Sequence, residues 1–288
     1  MRWLLLGTMA VWGANLSVVK LLFESLEPML VAVLRMAVSA IALTAVLAWR
    51  RRPWPRLRRR QWLTLAAGAV LMIYLNQIFF TEGVARTAAA NAALIIALNP
   101  LVSALTAALL LGDRLTPARL AGVALGFGGV AAVVLHRPGA ALGSSGLGDL
   151  LMFGSVMTWV MGGVLVQRLS HELDSGLISA VMGVIGTLLL ALHLGLRPTP
   201  VVVQWARITP LTVGLLVVSS LLATAGGALV WNRALVVLGV ARTALYAYWV
   251  PIFGVLFAVL LLGEPLTAWH GVGLTAVLGG TWLGTRRH

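Results

Sequence analysis

The sequence predicts an all-α polytopic membrane protein with ten transmembrane helices, arranged as two inverted five-helix repeats. Three observations support this prediction. Of the 288 residues, 60% are hydrophobic and only 10% are charged, against about 25% charged in an ordinary soluble domain. The apolar residues fall in long runs, and the second half of the chain repeats features of the first half at a nearly constant offset.

The apolar runs define the predicted helices. Roughly 20 apolar residues cross the hydrocarbon core as a helix, because every backbone N–H and C=O must be bonded internally. The mean hydropathy of +0.98 agrees with this. Met1 and Arg2 resemble the start of a signal peptide, but Asn15 and Lys20 interrupt the run that follows, so we interpret it as the first span. The ten predicted spans are residues 3–22, 29–49, 61–80, 88–111, 117–135, 150–167, 175–195, 209–231, 239–262 and 268–285.

The distribution of basic residues predicts the orientation. With the N-terminus inside, 15 Lys and Arg residues fall in inside segments and 4 in outside loops. Short cytoplasmic loops are enriched in Lys and Arg, so both termini are predicted to be cytoplasmic. Seven of the arginines lie between Arg50 and Arg60. Because spans flank this cluster and Trp54 is interleaved with it, we interpret it as an anchor at lipid headgroups, not as a nucleic-acid site.

An internal repeat relates the two halves. LLLGDRLT at residues 109–116 and LLLGEPLT at residues 260–267 are 151 residues apart, as are Pro100 and Pro251. A repeat of five spans enters the membrane from alternate sides, and transporters built this way bind substrate near the midplane between the halves. The sequence therefore predicts a first repeat at residues 1–136, a linker at 137–149 and a second repeat at 150–288.

These features resemble a known transporter family. The units Pro100…Leu-Gly-Asp113-x-Leu-Thr and Pro251…Leu-Gly-Glu264-x-Leu-Thr, with Trp12-Gly13-Ala14-Asn15 near the start, are similar to the EamA type of the drug/metabolite transporter superfamily. The resemblance covers essentially the whole chain. It implies an inner-membrane exporter of amino acids and other small metabolites. Overall likeness points to the bacterial aromatic amino acid exporter (YddG-like) branch.

Polar and aromatic residues within the spans are the candidate binding residues, since facing lipid would leave their polar groups unpaired. The alternative is structural, because amides often join helices and Trp and Tyr form interfacial belts. We hypothesise a cavity with aromatic walls and amide groups that bind a small organic substrate. The walls are assigned to Trp12, Tyr74, Trp159, Tyr246 and Trp249, and the amide contacts to Asn15, Gln77 and Asn91.

Two prolines and one arginine have open interpretations. A mid-helix Pro100 or Pro251 removes a hydrogen bond to the carbonyl of Ile96 or Ala247, which predicts a hinge or kink beside the cavity, or a simple packing kink. Arg35 lies roughly 9 Å into the second helix. It could attract a substrate carboxylate, but an arginine there more often snorkels to the interface or pairs with a neighbouring glutamate.

The remaining motifs favour structural roles. The repeated motif predicts a tight helical hairpin in each half, which makes Asp113 and Glu264 poor candidates for substrate ligands. Gly122 and Gly126, and Gly280 and Gly284, have the spacing that permits close helix contact within the chain or in a dimer. A monomer is the simpler prediction.

The acidic residues predict the coupling mode. All eight are expected in loops or at helix ends, so no carboxylate deep in the membrane is predicted. This favours facilitated diffusion by alternating access, with a proton-coupled drug or metabolite efflux carrier as the alternative. There are no cysteines, no HExxH and no GxSxG, so neither an enzyme nor a metal or other cofactor is predicted. The alternative of another class is a non-transporting receptor or scaffold.

Overall fold

The computed structural model describes residues 1–49, 56–99, 101–103, 105–106, 116–136, 144–170, 172–198, 201, 203, 205–238, 246–247 and 249–285. All regular secondary structure within these residues is helical. The principal helices are α1 Arg2–Phe23, α2 Pro28–Trp49, α3 (Arg59–Ala69, then Val70–Leu75 and Asn76–Arg86), α4 Ala89–Ile96, α5 Pro117–Leu135, α6 Ser144–Leu169, α7 Ser175–Leu196, α8 (Pro210–Val218, then Ser219–Gly226 and Gly227–Leu238), α9 Trp249–Leu262 and α10 Ala268–Thr285.

Every predicted span contains helix within its described residues, although Ala97 and Leu98 in the fourth span and Ala247 in the ninth form turns. Six are long and apolar enough to cross a membrane, namely those in Arg2–Phe23, Pro28–Trp49, Arg59–Arg86, Gly146–Leu169, Ser175–Leu196 and Pro210–Trp231. Shorter apolar helices lie at Ala89–Ser103, Leu120–Gly129 and Trp249–Leu262. The described chain thus contains the long apolar helices that a multi-pass membrane protein requires.

The sixth helix begins earlier than expected. α6 starts at Ser144, so the end of the segment assigned as a linker is helical. Glycines suggested a loop there, but a Cβ on Gly148 would lie 2.7 Å from the carbonyl carbon of Arg86, so this glycine permits close helix contact. Asp149 consequently lies on a helix with only 7% exposure, and its carboxylate accepts a hydrogen bond from Thr87 Oγ1.

Two π-helical segments interrupt α3 and α8 at equivalent places. They span Val70–Leu75 and Ser219–Gly226, so their first residues are 149 apart and their last residues 151 apart. Both values lie within two residues of the 151-residue offset of the repeated sequence motifs. A π-helical turn carries an extra residue and therefore changes which side chains face a neighbouring helix.

Helix packing also relates the halves. α2 packs on α7, α4 on α9 and α5 on α10, which pairs each helix with the one five positions later. α1 contacts α8 and α9, and α6 makes the corresponding contacts with α3 and α4. Exchanging the two halves leaves this pattern unchanged, as expected for a duplicated five-helix unit.

Glycines allow the close contact of α5 with α10. A Cβ on Gly280 would lie 2.5 Å from the carbonyl oxygen of Gly122 and 2.7 Å from the amide nitrogen of Gly126. A Cβ on Gly129 would lie 2.6 Å from Ala276 Cβ. These small residues are therefore used for contact within one chain.

The structure changes the interpretation of the proline prediction. α9 begins at Trp249, which puts Pro251 in its first turn, where a missing N–H costs little. The carbonyl of Ala247 instead accepts from the amide of Val250 at 3.1 Å. Pro251 therefore lies in the first turn of α9, after a turn at Ala247, while Pro100 lies outside the described residues, and the hinge role of both prolines remains a prediction.

The second copy of the repeated motif forms the predicted helix end. Gly263 has φ of 63°, the left-handed conformation that glycine adopts at a helix C-terminus. Thr267 precedes α10, and both its amide and its hydroxyl contact His270 Nδ1, at 3.1 and 2.9 Å. In the first copy, Gly112 and Asp113 lie outside the described residues.

Candidate functional site

A cavity of about 250 Å³ lies between the halves. It is lined by α1, α2, α3 and the α4 region from the first half and by α6, α7, α8 and α9 from the second, while α5 and α10 supply no lining residue among those described. Its volume suits a small organic molecule. The aromatic lining residues are Trp12, Phe80, Trp159 and Trp231, and the polar ones are Asn15, Arg35, Ser39, Asn76, Gln77, Asn99, Ser155, Ser179 and Thr224.

Three indoles form one wall of this cavity. Trp12 meets Trp159 edge-on with ring centroids 6.4 Å apart, and it meets Trp231 at 5.5 Å with the rings tilted by 44°. Trp12 Nε1 donates to the carbonyl of Ala223 at 2.8 Å, within the π-helical segment of α8. Gly227 leaves room for this contact, because a Cβ there would lie 2.4 Å from Trp12 Nε1. The indole is therefore held in a fixed orientation.

A chain of amides on α3 has a defined direction. Asn76 Nδ2 donates to the backbone carbonyl of Ser155 at 2.8 Å, and Gln77 Nε2 donates to Asn76 Oδ1 at 3.2 Å. Because the Ser155 carbonyl can only accept, each amide in turn must present its NH₂ toward that end of the chain. Gln77 Oε1 remains buried without a hydrogen-bond partner.

Two more asparagines line the cavity. Asn15 Oδ1 accepts from Ser219 Oγ at 2.5 Å, which joins α1 to α8. Asn99 Nδ2 donates to the carbonyl of Ile96 at 2.9 Å, so its orientation is also set by a backbone acceptor. Asn99 Oδ1 is buried and has no partner.

Arg35 is buried in the cavity wall with 4% exposure. Its Nη2 donates to Thr224 Oγ1 at 3.2 Å, whereas Nε and Nη1 have no hydrogen-bond partner. The expected snorkelling or pairing with a neighbouring glutamate is wrong, because Arg35 is buried and its guanidinium bonds Thr224, while Glu27 pairs with Arg197. No carboxylate lines the cavity among the described residues. Arginine stays charged in proteins, so the cavity contains a buried cation.

Only some of the predicted site residues line this cavity. Trp12, Asn15, Gln77 and Trp159 do so, whereas Tyr74, Asn91, Tyr246 and Trp249 are absent from its lining. The role in binding of each of these eight residues remains a prediction.

The other four lie elsewhere for identifiable reasons. Tyr74 Oη bonds His193 Nδ1 at 2.8 Å between α3 and α7. Asn91 is buried on α4, and Tyr246 packs against the cluster that contains Leu5 and Met9. Trp249 is 44% exposed and packs on Phe253 with ring centroids 6.0 Å apart.

The structure adds residues that the sequence did not assign to binding. Asn99, Thr224 and Trp231 were recognisable as polar or aromatic groups within spans, and Thr224 and Trp231 share a helix face. Nothing in the sequence placed them beside Arg35, for which binding of a substrate carboxylate was one open interpretation. Asn76 carried a weaker signal, as the polar neighbour of Gln77 in an apolar run. The described residues contain no cluster of three or more His, Cys, Asp or Glu that could hold a metal.

A separate polar contact joins three helices away from the indoles. Both carboxylate oxygens of Glu264 accept from the N-terminus of α4, from the amide of Ala89 at 2.9 Å and from that of Ala90 at 3.1 Å. Lys20 Nζ on α1 donates to the same carboxylate at 3.1 Å. Glu264 of the second half thus caps a helix of the first half, which goes beyond the hairpin role predicted for its motif.

Comparisons with known proteins agree with this architecture. The sequence profile described as the EamA-like transporter family matches residues 2–135 and again residues 146–286. An uncharacterized transporter of Archaeoglobus fulgidus is 28% identical over 99% of this chain and 96% of its own. The uncharacterized transporter YyaM of Bacillus subtilis is 25% identical over 96% and 90%.

Two further matches concern a named exporter and the fold. A probable terminal-alkyne amino-acid exporter of Streptantibioticus cattleyicolor is 26% identical over 99% of this chain and 93% of its own. A solved crystal structure has a TM-score of 0.68 at 18% identity, over 97% of this chain and 94% of that one, which is a likeness of fold. The twofold profile match, together with the long apolar helices, establishes that the chain belongs to the EamA-like transporter family and is a multi-pass membrane protein.

Proposed function

We propose that the protein exports amino acids, including aromatic ones, and related small metabolites across the bacterial inner membrane by alternating access. The observation that carries this proposal is the cavity lined by the first four helices of each half. A site between two related halves becomes accessible from either side when one half rocks against the other. The wall of three indoles suits an apolar or aromatic side chain, and one relative is named as a probable amino-acid exporter.

The proposed architecture has ten spans in two inverted repeats, residues 1–136 and 150–288, with both termini cytoplasmic. The reciprocal helix pairing, the matched π-helical segments and the two profile matches support the duplication. The uneven distribution of basic residues supports the orientation. Described residues of a single chain line the cavity on both sides, which supports a monomer as the proposed functional unit; a dimer measured in a mild detergent would revise that part alone.

In this orientation, the contact around Glu264 lies at the outer end of the helices. It joins α1, α4 and the end of α9, so it holds the two halves together on that side. Opening toward the outside requires this contact to separate. Three hydrogen-bond donors contact the Glu264 carboxylate in the closed arrangement. When the protein opens outward, water must replace these hydrogen bonds.

Transport by facilitated diffusion is the proposed coupling mode. The cavity contains no carboxylate among its described lining residues, so a titrating acid beside the substrate is lacking there. A second candidate, proton-coupled efflux, is favoured by one observation: Asp149 is buried on α6 and hydrogen-bonded to Thr87. A pH-sensitive dye inside proteoliposomes separates the two. Substrate-dependent proton flux that the Asp149→Asn substitution abolishes would support the second candidate.

The test of the proposed function is efflux of radiolabelled phenylalanine, tryptophan and leucine from proteoliposomes containing the purified protein. We expect saturable efflux that falls several-fold in Asn15→Ala and Gln77→Ala. The matched controls on the same helices are Ser17→Ala and Thr81→Val, which remove buried hydroxyls that have no partner.

The outcomes are distinct. Normal efflux in both amide variants rejects the role of Asn15 and Gln77 in binding. If the folded protein moves no small metabolite across the vesicle, transport is rejected and the receptor or scaffold alternative takes its place.

A further inference from the structure

The side chains that bind the carboxylate and the ammonium group of an amino-acid substrate can be assigned, and this assignment rests on the proposed function. We infer that the cavity binds a zwitterion: Arg35 binds the carboxylate, and the amide oxygens of Gln77 and Asn99 accept hydrogen bonds from the ammonium group. The cavity then selects an amino acid over an anion or a cation of the same shape.

The unpaired polar atoms of the cavity carry this assignment. Four buried side-chain atoms that have no hydrogen-bond partner belong to its lining: Arg35 Nε and Nη1, Gln77 Oε1 and Asn99 Oδ1. Buried polar atoms are nearly always bonded, because an unmet donor or acceptor costs its full desolvation energy. Donors on a cation, together with two acceptors, are the complement of a molecule that carries both a carboxylate and an ammonium group.

The guanidinium retains a free edge for the carboxylate. It has five N–H groups in a planar fork, and the single hydrogen bond to Thr224 occupies one of them. One edge of the fork is therefore free to bind both carboxylate oxygens, which is the preferred arginine–carboxylate geometry. Arg35 has no carboxylate partner among the described residues, so a bound carboxylate supplies the counter-charge that this buried cation lacks.

The two amides present oxygen, not nitrogen, as their free group. Gln77 is oriented by the chain through Asn76 to the Ser155 carbonyl, and Asn99 by its bond to the Ile96 carbonyl. Each amide therefore retains an unpaired acceptor, which an ammonium group satisfies and a carboxylate does not. A zwitterion bound in this way brings no net charge into the cavity.

The test compares binding of two matched ligand series to the full-length protein in nanodiscs by calorimetry. One series is phenylalanine, phenylalaninamide and 3-phenylpropionate, and the other is leucine, leucinamide and 4-methylpentanoate. We expect the amino acid in at least one series to bind about tenfold or more tightly than both its amide and its acid, since each lacks one charge-assisted contact. Equal binding of the amide or the acid in both series, or no binding of either amino acid, overturns the inference.

Substitutions then assign the groups. Arg35→Gln should remove the preference for phenylalanine over phenylalaninamide, and Arg35→Lys should restore part of it. Gln77→Leu and Asn99→Leu should remove the preference over 3-phenylpropionate. Ser17→Ala, which removes an unpaired hydroxyl outside the cavity, should retain both preferences. A preference that survives Arg35→Gln overturns the role of Arg35, and the partial rescue by lysine shows that loss of folding is not the cause.

The inference and the proposed function fail separately. Selective binding without movement across proteoliposomes retains the zwitterion site and rejects transport. Transport of phenylalaninamide as fast as phenylalanine retains the transporter and rejects the zwitterion site.

Discussion

The cap that Glu264 forms on α4 yields a quantitative stability prediction. Its carboxylate accepts two backbone hydrogen bonds and one from Lys20, and its side chain is 15% exposed. Loss of a helix cap costs about 1 kcal/mol, up to about 2 in favourable sites, and the charge at a helix N-terminus adds roughly 0.3–1 kcal/mol. The Lys20 side chain is 27% exposed, so solvent limits the ion pair to at most about 1 kcal/mol. We expect Glu264→Ala to lower the free energy of unfolding by about 2–3 kcal/mol.

Two matched variants separate the components of this contact. Glu264→Gln retains an acceptor oxygen but loses the charge, so it should cost about half as much as Glu264→Ala. Lys20→Met removes only the ion pair and should cost less than about 1 kcal/mol. The assay is unfolding in mixed micelles, followed by tryptophan fluorescence. If Lys20→Met destabilises as much as Glu264→Ala, or if Glu264→Ala is neutral, the cap is not the stabilising element.

Three other substitutions have defined outcomes. Gly280→Ala should destabilise the protein by about 1–3 kcal/mol through a backbone clash with α5. In the matched control Gly128→Ala, the added Cβ has no neighbouring atom within 4 Å, so this variant should be neutral or stabilising in the same unfolding assay. Gly227→Ala should displace the Trp12 indole and weaken phenylalanine binding several-fold in calorimetry, and unchanged binding would mean that the indole is not a binding wall. Tyr74→Phe should cost about 1 kcal/mol by removing the bond to His193, yet leave phenylalanine affinity unchanged; a large loss of affinity would return Tyr74 to the substrate site.

The helical content was predictable from the sequence because long apolar runs leave a chain few alternatives in lipid. The repeat was visible in the sequence, since Gly263 and Glu264 follow Gly112 and Asp113 at an offset of 151, and Gly263 has the left-handed conformation expected at a helix end. The π-helical segments were not predictable, because an extra residue in one turn leaves no trace in an apolar run. Tyr74 lies within such a segment and its hydroxyl bonds His193, whereas Gln77, just beyond the segment, lines the cavity.

Tertiary contacts decided the remaining residues. Arg35 looked like a residue that reaches the interface, since sequence alone does not reveal that Thr224 of the other half bonds it at 3.2 Å. Asp149 looked like part of a linker because Gly146 and Gly148 surround it, yet those glycines lie on a helix. In both cases, the missing information was which helix lies opposite, which depends on the fold of the whole chain.

The central claim is that this cavity is the alternating-access site, and thiol labelling tests it most directly. The chain has no cysteine, so each introduced thiol is unique. Ser39 on α2 lines the cavity, while Ile41 on the same helix is 69% exposed on the outer surface and serves as the control. We predict that the Ser39→Cys thiol reacts with a charged, membrane-impermeant reagent added from either side, and that saturating phenylalanine or leucine slows the reaction. A Ser39→Cys thiol that reacts from one side only would contradict the claim. The claim would also be contradicted if substrate fails to protect the Ser39→Cys thiol and the Ile41→Cys control reacts as fast as the Ser39→Cys thiol.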